Sequence, residues 1–75
     1  MKNMEEMMAD LKSKTGHDFD QAFLEAMIIH HQQAVRMSDD ALDKAEDEEV
    51  RELAKNINVS QQEEIEKMKQ MKENG

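Results

Sequence analysis

Between Gly16 and Gly75 the chain has no glycine, and it has no proline at any position, so nothing in that stretch forces a helix to stop. What fills the stretch is rich in Glu, Lys, Met and Ala, residues that lose little side-chain freedom in a helix. The fold class expected is therefore all-α. Phe23, Met27, His30, Ala34, Met37 and Ala41 are spaced by four and three, as on one side of a helix packed on another. A second row has the same rhythm: Val50, Ala54, Ile57, Gln61, Glu64, Met68 and Met71, with Leu53 and Ile65 flanking it.

Punctuation between the rows gives the elements. Met1, Met4, Met8 and Leu11, with Met7 beside them, predict a short amphipathic helix over residues 3–13. Ser13 to Gly16 ends it, with Gly16 suited to a left-handed position. Asp18 is an expected N-cap, with Gln21 closing a capping box, for a helix over residues 19–45. The charged corner Ala45-Glu46-Asp47-Glu48 comes next. There Asp47 is placed to cap a helix over residues 48–73, with Glu48 and Glu49 suiting its dipole. Residues 1–75 thus read as a single helical domain: a long antiparallel hairpin preceded by a short helix.

Charge narrows the function. Eighteen acidic residues against ten basic ones leave a formal net charge of −8. That opposes binding to nucleic acid or to an anionic membrane surface, since both need a basic face. No apolar run approaches the roughly 18 residues of a membrane span, and no secretory segment is visible, so no membrane insertion by this segment is expected. No Cys is available as nucleophile or metal ligand, and Ser13, Ser38 and Ser60 sit in no catalytic motif. Glu-x-x-His pairs and His-x-x-x-His are absent, which removes di-iron carboxylate and zincin-type sites. A binding protein is expected rather than an enzyme.

Across a short corner, helices pack antiparallel and facing residues keep a constant index sum. Pairing the two rows sets Ala41 against Ala54, Met37 against Ile57, Ala34 against Gln61 and His30 against Glu64, then Met27 against Met68 and Phe23 against Met71. The polar interruptions of the two rows fall at one height. One reading is a metal site of His30, His31 and Met27, with Met37 and Met68 near and Glu64 ligating or orienting an imidazole. Imidazole suits Cu, Zn, Fe or Ni; thioethers favour Cu(I), and a carboxylate favours Zn or Cu(II). The alternative is a structural self-association module whose His/Glu layer sets register without metal. On that alternative, Glu64→Leu is expected to stabilise the bundle. The Met-rich first segment also has two readings, soft-metal capture and gap-filling, of which packing is preferred. A chain this short buries only about 60% of its unfolded surface, which makes a lone copy marginal.

Asp20, Phe23, Met27, Ile28, His30, His31, Ala34 and Met37 fit the pattern D-x-x-F-x-x-x-M-I-x-H-H-x-x-A-x-x-M. Leu53, Ala54, Ile57, Gln61, Glu64, Ile65 and Met68 fit L-A-x-x-I-x-x-x-Q-x-x-E-I-x-x-M. On these motifs the chain resembles the DUF305 family, small ferritin-like proteins with a paired-histidine motif. The resemblance implies a ferritin-like four-helix bundle and, because some members are implicated in copper binding, a copper ion. It also implies an exported or periplasmic setting. The site residues it carries over are His30, His31, Met27, Met37, Glu64 and Met68. Ile29 stands where the family usually has Pro, which predicts a straighter helix; Met71 replaces a common Trp and Ser38 a usual Ala. Longer members contain two such units, so a single unit is expected to complete its four helices as a homodimer. The expected role is copper sequestration, buffering or handover.

Overall fold

A computed structural model describes residues 3–75 and shows three helices: α1 (Met4–Lys12), α2 (Gly16–Lys44) and α3 (Glu48–Asn74). The proposed place of Met1 in the first apolar row lies outside the described residues.

Local chemistry explains most boundaries. Asn3 is the N-cap of α1, and its side chain accepts from the Glu6 N–H at 2.8 Å. At the end of that helix the Ser13 N–H donates to the Asp10 carbonyl at 3.3 Å and the Lys14 N–H to the Leu11 carbonyl at 3.2 Å. Gly16 then takes a left-handed conformation at φ +60°, where a side chain would be strained. α2 starts at this glycine, earlier than the expected Asp18 cap. Its N-cap is Thr15, which makes no side-chain capping bond. The sharp turn at Gly16 lets helical bonding begin at once, with Phe19 N–H donating to the Thr15 carbonyl at 3.3 Å. Asp18 is thereby left inside the first turn, where its charge meets the positive helix end.

With Ile29 at its middle, α2 continues without a break to Lys44. Ala45, in an extended conformation, ends it, and Asp47 caps α3 by accepting from Glu49 N–H at 2.8 Å. α2 and α3 form the hairpin, and α1 packs on α2. Where α1 meets α2, small Ala22 and Ala26 lie beneath Met7 and Asp10.

The seam between α2 and α3 differs from the expected one. On α2 it comprises Leu24, Ile28, His31, Val35, Ser38 and Leu42, all buried or half-buried; on α3 it comprises Ala54, Asn58, Gln61, Ile65 and Met68. The expected α2 row lies one residue away in phase, about 100° round the helix. Phe23, Met37, Val50, Leu53, Ile57 and Met71 are exposed instead. Both rows are apolar and equally spaced, so periodicity alone does not decide which one turns inward. The hydrogen bonds between the helices do. Among the described residues no side chain is fully buried, and no helix is long and apolar enough to cross a membrane.

Candidate functional site

Two polar layers cross the hairpin. In the first, His31 is buried at 7% exposure, and its Nε2 lies 2.5 Å from Glu64 Oε2. Glu64 reaches inward from the rim of the seam, with about half of its side chain exposed. The carboxylate accepts, so Nε2 is the donor of this pair. The Nδ1 of the same ring is buried and has no hydrogen-bond partner. The expected facing of His30 and Glu64 is therefore corrected by one position. His30 is exposed, and its ring stands edge-on to that of His31 with centroids 6.0 Å apart.

The second layer lies nearer the corner. Asn58 Nδ2 donates to Ser38 Oγ at 2.8 Å and to Asp39 Oδ1 at 2.7 Å, while Ser38 Oγ donates to the Val35 carbonyl at 2.8 Å. Gln62 Nε2 in turn donates to Asn58 Oδ1 at 2.5 Å. The sequence marks Ser38 as an exchange for Ala and as a serine in no catalytic motif, and gives no signal for Asn58 by itself. The available signal was that the two share a height once the hairpin is paired. At the open end, Gln21 Nε2 donates to the Lys72 carbonyl at 3.4 Å, and the Lys72 ammonium lies 3.9 Å from Glu25.

The six proposed metal-site residues are thus distributed over two surfaces. His31 and Glu64 are joined directly. Met27 precedes His31 by one turn on the same helix and is half-buried, as is Met68 on α3. His30 and Met37 lie outside, with Met37 72% exposed. Among the described residues no group of three or more His, Cys, Asp or Glu side chains is arranged to hold a metal ion. The inner layer offers one buried imidazole nitrogen, with its ring oriented by a carboxylate.

Beside these layers lies an apolar groove of about 260 Å³ between the two long helices. Ala34, Ala41 and Ala54 form its floor, and Met37, Leu53 and Ile57 its walls. Leu53 is 59% exposed there and Val50 46%. Phe23 and Met71 are exposed at the open end, separated from the groove by half-buried Met27 and Met68 and by the exposed His30 and Glu64.

The family model described as Domain of unknown function (DUF305) matches residues 1–72. No curated protein and no solved structure matches the chain.

Proposed function

The chain belongs to the DUF305 family, and for this member we propose a self-associating helical module: two hairpins join through their open apolar faces into a ferritin-like four-helix bundle. The polar layers set the register of α2 on α3 and do no chemistry. The observation that carries this reading is the groove walled by Met37, Leu53 and Ile57, large side chains left in water on one face of the hairpin. Contiguous apolar surface of this kind marks a contact surface. Among the described residues the buried apolar set is only Ala26, Ile28, Ala54 and Ile65, too small a core to stabilise a hairpin well.

Sedimentation against concentration tests it. The wild type is expected at twice the chain mass. Leu53→Asp is expected to weaken association by about 100-fold or more, since burying a leucine contributes about 1.5–3 kcal/mol and each dimer loses two. A wild type that stays at chain mass at high concentration sinks the reading.

A second reading, transition-metal binding, is favoured by the orphaned His31 Nδ1. Here His31 would ligate through Nδ1, Met27 and Met68 would supply thioethers, and Glu64 would hold the imidazole by its Nε2 proton. Such a set suits copper, Cu(I) before Cu(II) or Zn, for storage or handover rather than catalysis. His30 and Met37, on the outer face, would contribute only from an interface between copies. Competition with a Cu(I) chelator separates the histidines: His31→Ala is expected to lose the bound ion, His30→Ala to keep it. Equal affinity of both variants and the wild type removes the site.

A further inference from the structure

Resting on the self-association reading, we propose that Met37 is an oxidation site whose sulfoxide keeps the copies apart, so that association of this chain responds to hydroperoxides. Among the described residues three methionines are exposed: Met8 at 54%, Met37 at 72% and Met71 at 52%. Met4, Met7, Met27 and Met68 are half-buried. Met37 is thus the sulfur most open to a reagent in water while the copies are apart, and it is the methionine that lines the groove. Met8 lies on α1, and Met71 lies at the open end beside Phe23 and Leu24. One side chain combines the accessibility that oxidation needs with a place on the contact face.

The step is a two-electron oxygen transfer. The Met37 sulfur attacks one oxygen of a hydroperoxide, and an S–O bond forms as the O–O bond breaks. Sulfur is oxidised and the peroxide reduced. The proton on the transferred oxygen passes to the departing one, which leaves as water or an alcohol. A sulfoxide reductase with a dithiol reverses the change, the oxygen leaving as water and the dithiol ending as a disulfide.

A sulfoxide oxygen accepts hydrogen bonds, and the groove holds no donor for it. Around Met37 stand Ala34, Ala41, Val50, Leu53, Ala54 and Ile57. Ser38 is the one polar residue of the lining. Its Oγ donates to the Val35 carbonyl at 2.8 Å and accepts from Asn58 at 2.8 Å, so its single proton is already committed. Closing the face over a sulfoxide would remove its water without replacing it, and each pair of copies would bury two. Association is expected to weaken on the order of 100-fold. In the joined pair Met37 is covered, so oxygen transfer runs through the free copy and slows as concentration rises.

Hydrogen peroxide added to the wild type and to Met37→Leu tests this, since leucine keeps an apolar side chain of similar volume. Sedimentation reads association, and peptide mass spectrometry reads which methionines have gained oxygen. The wild type is expected to fall from dimer mass to chain mass as sulfoxide builds at Met37, and Met37→Leu to stay at dimer mass. Loss of association in both assigns the effect to another methionine and overturns the proposal. A wild type that holds dimer mass with Met37 fully oxidised also overturns it and leaves self-association standing. A second measurement needs no variant: oxidation at Met37 that does not slow as the wild type is concentrated through its association range removes this residue from the contact face. Chain mass at high concentration before any peroxide sinks the self-association reading, and this proposal with it.

Discussion

The hairpin has two apolar faces built on nearly the same spacing, and they behave differently. The inner one, from Leu24 through His31 to Leu42, is interrupted by His31 and Ser38, and both find hydrogen-bond partners on α3. The outer one, from Phe23 to Ala41, carries a phenylalanine and two methionines beside two alanines, and its sole polar member, His30, is exposed. Burial contributes in proportion to area whatever the alignment, whereas a buried polar pair is satisfied in one alignment alone. The inner face therefore specifies how α2 lies on α3. The outer face holds the area still to be removed from water.

Substitutions can break or sharpen this contrast. The largest effect is expected outside: Leu53→Asp separates the copies in sedimentation. Next is Ile65→Ala, on the inner face, which costs about 2–3 kcal/mol in denaturant unfolding through the cavity it leaves. It should leave the association of the folded chains intact, and a variant that lost association as strongly as Leu53→Asp would erase the distinction between the faces. Third is Glu64→Leu. On sequence grounds it is expected to stabilise, but the structure reverses the sign. The His31 Nε2 proton would be left buried without an acceptor, at a cost of about 1–2 kcal/mol. Replacing both, His31→Leu with Glu64→Leu, is expected to restore most of that loss, which a double-mutant cycle measures directly. The smallest is Ser38→Ala, about 1 kcal/mol or less, because Asn58 keeps its bond to Asp39.

How far the sequence was legible obeys the same division. Composition and spacing gave three helices, the left-handed glycine at position 16 and the Asp47 cap, because those depend on neighbours in the chain. The phase of α2 against α3 depends on contacts between distant residues. Phe23-Met27-His30-Ala34 and Leu24-Ile28-His31-Val35 are equally plausible seams by period, and each is apolar apart from one histidine. Polar satisfaction separates them. Ser38 and Asn58 can bond only if the second row faces inward, and neither residue announces that alone. The candidate site inherited the same shift: the height of the polar layer was readable, but not which of two adjacent imidazoles filled it.

α2 has a further consequence near its middle. Ala26 lies under α1, Met27 flanks the outer face, and Ile28 is buried toward α3. Three successive residues thus answer to three different neighbours, and every one of those assignments is a matter of angle about a single axis. Adding or deleting one residue within this helix would turn its two halves by about 100° against each other. Aliphatic groups would then stand where an alanine must fit, and a carboxylate where an isoleucine is wanted. Length variation in such a chain is therefore confined to the two joints, near Thr15 and Glu46, where a change in residue count rotates nothing.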